Sequence, residues 1–411
     1  MSEGPVPGNA QHPRSWGFAA LLASLAMLGP FAVDMYLPAF AAIGAELGAS
    51  PISLQQTLSV YMFAYAFMML WHGALSDALG RRPILLGNLA VFALGTLGCA
   101  IAGNIESLWL FRVLQGLSAG AGLVVTRAII RDRFNGPEAQ RMMSQVTMVF
   151  GLGPALAPIV GGALLNLLGW RSIFWAMLAW TVAMLVLCAR VLPETHPAAQ
   201  RHALHPVALW RNYRAVLGQP KFALLALVPA LNFCGFFLYI AAAPAFLVGL
   251  LGVSTWGFAW LFIPMISGIM IGAYLSGRLA GRLSPKRTVR AGYAVLGVGV
   301  GANLLISSFA PPFVALNVLP ILIYTIGSGL IAPTVTLLLL DLFPTMRGMT
   351  ASLQGFVQFA FGGIVAGSFA PLLARSLPSL AWGMAGFTIA SLALWIVYQR
   401  RARATLEEWS P

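Results

Sequence analysis

Twelve apolar runs, each near the length of a membrane-crossing helix, constrain this chain more than any other feature of its sequence. They cover residues 16–42, 53–74, 83–103, 107–130, 141–165, 170–192, 222–245, 256–279, 288–308, 313–340, 348–373 and 380–399, and are numbered spans 1 to 12. A helix of roughly 20 apolar residues crosses the hydrocarbon of a bilayer, and a helix satisfies its own backbone hydrogen bonds where no water can do so. Of 411 residues, 59% are hydrophobic and 9% charged; a soluble domain carries about 25% charge. Mean hydropathy is +0.84. A water-soluble globular fold is excluded, and an all-α membrane protein of twelve transmembrane helices is predicted. Pro30, Pro154, Pro158, Pro264 and Pro333 lie within runs, where lipid tolerates proline better than water does.

The charges sort by side. With an even number of spans both ends of the chain share one face. If that face is cytoplasmic, all of the 24 Lys and Arg fall on it except Arg171 and Arg375 in opposite loops and Arg112 and Arg127 within span 4. This is a strong positive-inside bias, so the net charge of +13 records topology, and no nucleic-acid partner is expected. Both termini are placed in the cytoplasm, with the chain in a bacterial inner membrane. The polar start, Met1 to Arg14, leads into a run too long for a signal-peptide core, which is read as span 1.

Other chemistries find little support. Neither Lys221 nor Lys286 follows a glycine, so no Walker A loop is present and ATP is not the energy source. Cys99, Cys188 and Cys234 sit in apolar stretches and read as free thiols. His196, His202 and His205 fall in the long central loop and read as solvated residues, with no metal site. A membrane-embedded lipid enzyme would need clustered His, Asp or Glu at an interface, and here His12 and His72 are as scattered as the rest.

The loop 193–221 divides the spans six and six. The organisation read from this is a cytoplasmic tail 1–15, a six-helix bundle 16–192, the loop 193–221, a second bundle 222–399 and a tail 400–411. A faint repeat supports it: Asp132-Arg133-Phe134 after span 4 matches Asp341-Leu342-Phe343 after span 10, an offset of 209. Two parallel six-helix halves are a transporter architecture, with the site between them.

Four motifs carry more. Between spans 2 and 3 stands Gly73-x-Leu75-Ser76-Asp77-x-x-Gly80-Arg81-Arg82-Pro83, and span 4 holds Arg112-x-x-Gln115-Gly116 with Gly120 and Gly122. Span 5 holds Gly153-Pro154 and then Ala157-Pro158-Ile159-Val160-Gly161-Gly162. Span 1 holds Asp34-Met35-Tyr36-Leu37-Pro38, joined by Arg131-Asp132 after span 4 and Pro193-Glu194-Thr195 after span 6. Together these resemble the major facilitator superfamily, and within it the drug:proton antiporters of the bicyclomycin/chloramphenicol-resistance branch. Two departures are Ala78, where the family usually has a basic residue, and Ala157, where its antiporter motif has glycine.

The resemblance implies roles. Gly73, Asp77, Gly80, Arg81 and Arg82 would form a charge relay that latches the two halves in an outward-open state. Gly153, Pro154, Pro158, Gly161 and Gly162 would bend span 5 against span 8 and seal the inner side. Spans 1 and 4 would both line a central cavity.

The acids sharpen this. Of eleven Asp and Glu, only Asp34 lies inside a span, and an ionisable group within a membrane is functional by default. Counted along their helices, Asp34 and Arg112 fall at similar depth, so a direct or water-bridged pair is expected, with Asp34 the proton carrier. A static pair that only positions helices is the competing reading. Arg127, about a turn from the inner face, reads as snorkelling, and His72 as a helix-end residue at the interface. Candidate cavity residues are Tyr36, Tyr61, Tyr65, Asn232, Phe233, Phe236, Phe237, Tyr239, Tyr324, Gln354 and Gln358, an aromatic set suited to amphiphilic molecules of drug size. The resulting expectation is a monomeric, proton-driven, cofactor-free exporter of small amphiphilic drugs. An exporter of an endogenous metabolite would use the same machinery.

Overall fold

The computed structural model describes residues 15–134, 136–201, 205–344 and 346–407. Among the described residues twelve helices are long and apolar enough to cross a membrane: Gly17–Leu47, Pro51–Leu79, Arg81–Ala100, Ile105–Arg133, Arg141–Leu168, Arg171–Val191, Pro220–Ala241, Thr255–Leu279, Pro285–Phe309, Val314–Asp341, Arg347–Leu373 and Leu377–Arg401. They are the twelve spans. The face from which spans 1, 3 and 5 depart is called the basic face below, and the opposite one the far face.

Local chemistry sets many of the ends. Ser50 accepts from the Ser53 backbone N–H at 3.1 Å to cap span 2, and Asn104 accepts from that of Ser107 at 2.8 Å to cap span 4, each answering an N–H the helix leaves free. Proline opens spans 2, 7 and 9, where its missing N–H has no intrahelical duty. Span 1 is not one helix. Its α-helix ends at Asp34, a 3-10 turn covers Leu37–Ala39, and a second segment runs Phe40–Leu47, so the run reaches the far face later than residue 42.

Span 7 departs from expectation as well. Its α-helix stops at Ala241 and a π-helical stretch, Pro244–Leu250, follows. A second π stretch, Val365–Phe369, interrupts span 11. The central loop holds a helix that hydropathy did not indicate, Pro206–Leu217.

The packing repeats across the halves. Span 4 lies against spans 1, 2 and 3, and span 10 against spans 7, 8 and 9; span 1 meets span 5 as span 7 meets span 11. Between the halves span 2 packs on span 11 and span 5 on span 8. Advancing each number by six turns one of these contacts into the other, the signature of a two-fold relation about the membrane normal. Close approach needs small residues: a methyl on Gly122 of span 4 would overlap the Leu25 carbonyl of span 1, and one on Gly272 of span 8 the Ile326 carbonyl of span 10.

Candidate functional site

Asp34 ends the first helical segment of span 1, buried, and its carboxyl has no hydrogen-bond partner among the described residues. Arg112, fully buried in span 4, approaches the same turn. Its Nη1 donates to the Ala32 carbonyl at 2.7 Å and to Gln115 Oε1 at 2.9 Å, while Nε and Nη2 have no partner. The guanidinium carbon lies 4.4 Å from the Tyr36 ring centre and 4.3 Å from that of Tyr61, so the cation is sandwiched between two aromatic faces. Both rings are pinned: the Tyr61 hydroxyl donates to the Gly29 carbonyl at 2.9 Å, and the Tyr36 hydroxyl lies 2.6 Å from Thr57 Oγ1. Gln115 in turn donates to Thr96 Oγ1 at 2.8 Å.

The expected direct pair is therefore absent: no ion pair joins Asp34 to Arg112 among the described residues. Both residues occupy spans that meet, but the guanidinium is taken by the tyrosines and the Ala32 carbonyl two residues before Asp34.

At the basic face three sequence motifs meet in one network. Arg81 donates from Nε to Asp132 Oδ2 at 3.0 Å and from Nη1 to Ser76 Oγ at 2.7 Å, and it pairs with Asp77. Glu194 accepts from the backbone N–H of Arg81 at 3.0 Å and of Arg82 at 3.3 Å, so its carboxylate caps span 3. Arg82 donates to the Ala189 carbonyl at 2.6 Å, and Thr195 to Asp132 Oδ2 at 3.1 Å. Gly80 turns the chain at φ +104, and a side chain there would overlap the Glu194 carboxylate. Every partner lies in the first half or at the start of the central loop, where Glu194 and Thr195 stand. In this structure the relay fastens spans 2, 3 and 4 to one another and to the end of span 6, and among the described residues it does not reach the second half.

The halves are tied toward the far face. Gln55 Nε2 donates to the Ala241 carbonyl at 2.9 Å, Gln56 Nε2 to that of Gly367 at 3.0 Å and Ser59 Oγ to that of Gly363 at 2.8 Å. Beyond these bonds a cleft of about 480 Å³ opens, lined by Phe40, Leu54 and Gln55 of the first half and Pro244, Pro371 and Arg375 of the second. The span 5 motif contributes on the same side. A methyl on Gly161 would overlap the Met35 carbonyl of span 1, and one on Gly162 would crowd the Thr255 carbonyl of span 8. Asn166 Nδ2 donates to Thr255 Oγ1 at 2.9 Å. The contact with span 8 thus closes the far face, where an inner seal was expected. Span 5 runs from the basic face outward, and Gly161-Gly162 stand about two turns before its end at Leu168. Its helix continues unbroken through Pro154 and Pro158.

Residues 22–367 match the pattern of the Major Facilitator Superfamily. The chain belongs to that superfamily. A bicyclomycin resistance protein homolog of Haemophilus influenzae is 27% identical to it over 96% of this chain and 99% of that one. A chloramphenicol resistance protein of Pseudomonas aeruginosa is 29% identical, over 92% and 91%. These relatives agree with the branch expected from the motifs. Among solved structures, a bacterial homolog of the human lysosomal transporter Spinster, in an inward-facing and occupied conformation, superposes with a TM-score of 0.76 at 17% identity, over 98% of this chain and all of that one. As a major facilitator the chain is a transporter, not an enzyme.

The remaining candidates divide by half within this major facilitator frame. Tyr65 of span 2 faces Phe359 of span 11, ring centres 4.4 Å apart, and Phe359 lies 6.3 Å from Phe233 of span 7. Phe237 stacks on Phe233 at 4.9 Å and Phe236 meets it edge-on at 5.2 Å. These rings bridge the halves, and Phe359, which sequence reasoning missed, is the bridging ring; its place beside Gln358 was the available signal. Tyr239, Tyr324 and Asn232 instead belong to the core of the second half. Asn303 Nδ2 of span 9 donates to the Tyr239 hydroxyl at 2.6 Å, and the Tyr324 hydroxyl donates to the Asn232 carbonyl at 3.0 Å. Gln354 donates to Thr336 Oγ1 at 2.8 Å, and Gln358 is half-buried. His72 is not an interface residue: it is fully buried, its Nε2 lying 3.0 Å from Asn88 Oδ1 of span 3. Arg127 is exposed. Cys99, Cys188 and Cys234 are buried free thiols. His12 and His202 lie outside the described residues.

Proposed function

We propose that this transporter exports small amphiphilic drugs, antibiotics of the chloramphenicol and bicyclomycin type among them, in exchange for protons by alternating access. The observation that carries the reading is the buried Asp34 carboxyl, without a hydrogen-bond partner, at a helix break whose backbone is held by Arg112. A carboxyl in that position exchanges its proton when the cavity opens, because contact with water and with a charged neighbour both change its proton affinity. Substrate arriving at the same turn competes with the proton, which is antiport. The names of the relatives support drugs as cargo, and the aromatic bridge from Tyr65 through Phe359 to Phe233 offers a sequence-tolerant apolar surface for such molecules.

On this reading the basic face is cytoplasmic, the membrane is the bacterial inner membrane, the working unit is a monomer, and the proton gradient replaces any cofactor. Phe233, Phe236, Phe237, Tyr65, Gln354 and Gln358 contact cargo, while Tyr36 and Tyr61 hold Arg112. The relay at Arg81 would change partners to the second half when the far face opens.

Proteoliposomes with an imposed pH gradient test the proposal, using chloramphenicol and a panel of structurally unrelated antibiotics. Wild type is expected to concentrate at least one drug and to release protons on substrate addition. Asp34→Asn should bind drug yet neither concentrate it nor release protons. A variant that still concentrates drug with wild-type proton release overturns the assignment, and failure of the whole panel favours an endogenous metabolite as cargo.

A further inference from the structure

The central loop contains a helix whose exposed side has no occupant among the described residues. Along Pro206–Leu217, Tyr213 and Val216 are buried against the bundle. The opposite stripe carries Val207 at 82% exposure, Trp210 at 65% and Leu217 at 45%, with Arg211 and Arg214 interleaved and exposed. Spacings of three, four and seven residues put these five on one side of a helix. Two large apolar side chains and a tryptophan turned outward, with two arginines among them, is the pattern of a helix lying in a bilayer interface.

Depth agrees with that position. The Tyr213 hydroxyl donates to the Leu70 carbonyl at 2.6 Å. Leu70 stands nine residues before Leu79, where span 2 ends, a distance of about 13 Å along the axis. A tyrosine side chain cannot cover that length from open water, so the loop helix lies level with the last turns of the spans, where headgroups are.

Charge selects the kind of headgroup. The sequence contains no Asp or Glu between Glu194 and Asp341, and among the described residues neither Arg211 nor Arg214 has a carboxylate partner. We propose that the exposed stripe of Pro206–Leu217 docks onto anionic phospholipid of the leaflet at the basic face, with Trp210, Val207 and Leu217 inserted among the acyl-chain ends and Arg211 and Arg214 on the phosphates. Because the helix bonds to span 2 and packs on spans 7 and 11, lipid held there touches both halves. The proposal rests on membrane embedding alone, so its failure leaves proton antiport untouched and the reverse also holds.

The three native thiols are buried, so Val207→Cys gives the full-length protein one accessible site for an environment-sensitive fluorophore. In vesicles containing phosphatidylglycerol the label should shift to the blue and be quenched by brominated lipid, more than in phosphatidylcholine alone. Arg211→Gln and Arg214→Gln should each weaken the preference for anionic lipid about fivefold, as expected for a basic side chain near a charged leaflet. A label that stays water-exposed in both lipids overturns the proposal. So does an equal response in both, or a shift reproduced in phosphatidylcholine by soluble inorganic phosphate. The comparison of lipids on the arginine-intact protein decides the matter even if a variant fails to insert.

Discussion

Arg112 keeps its charge out of water by replacing hydration with two ring faces, a carbonyl and an amide oxygen, leaving Nε and Nη2 unanswered. That solution depends on a flat, delocalised cation. Lysine would keep the charge but could neither fill the slot between Tyr36 and Tyr61 nor reach Ala32 and Gln115 together. Arg112→Lys is therefore expected to lose about 2 kcal/mol of stability, the scale of a desolvated cation–π contact, and, under the proposed antiport, most drug transport; thermal unfolding in detergent and proteoliposome flux read the two effects. Wild-type values for both would mean that only charge matters at this position. Sequence counting brought Asp34 and Arg112 to one depth and one pair of spans, and the structure keeps both. What counting along an axis could not supply was the choice of partners, and the guanidinium meets two rings and the Ala32 carbonyl instead of the carboxylate.

Glu194 shows how an element end can depend on distant sequence. It lies more than a hundred residues after the N–H groups it caps at Arg81 and Arg82, and those groups carry the positive end of the span 3 dipole. Glu194→Ala should cost about 1 kcal/mol, in the range of other lost caps, while Glu194→Gln, which retains an acceptor oxygen, should cost less; a thermal shift of equal size for both would remove the cap as the cause. The neighbouring Arg201 pair, at 3.5 Å and partly exposed, should add little. In span 5, Gly161→Val drives a side chain into the Met35 backbone, and overpacking of this kind costs about 1–3 kcal/mol. Lower yield and melting temperature are expected, with Gly151→Ala, at a site with only a methionine sulfur nearby, as the tolerated control. The spans themselves were legible because lipid leaves a helix no competitor. The break after Asp34, the π stretches at Pro244–Leu250 and Val365–Phe369 and the loop helix were not. Hydropathy averages over a window and records neither which carbonyl an N–H chooses nor a helix that alternates apolar with basic residues.

Across the whole molecule, the two halves meet chiefly through a pair of contacts that the repeat exchanges, span 2 with span 11 and span 5 with span 8. Under the proposed alternating access, the bonds from Gln55 and Gln56 must break before the far face can part. Removing both by Gln55→Ala and Gln56→Ala should raise the far-open population about tenfold, taking about 0.7 kcal/mol for each neutral bond. Spin labels at Ile52→Cys and Leu372→Cys, exposed on opposite halves, would record the change as a longer distance component; an unaltered distribution would place the restraint elsewhere. The gate has a further property. On the second half its acceptors are main-chain oxygens of Ala241, Gly363 and Gly367, which any amino acid supplies. Residues around these three can change without altering the acceptors, but a methyl on Gly367 would overlap Ser59 Oγ, so that glycine shares the constraint on the facing Gln55, Gln56 and Ser59. Evolution can thus remodel one side of the passage for new cargo while inheriting its closure unchanged.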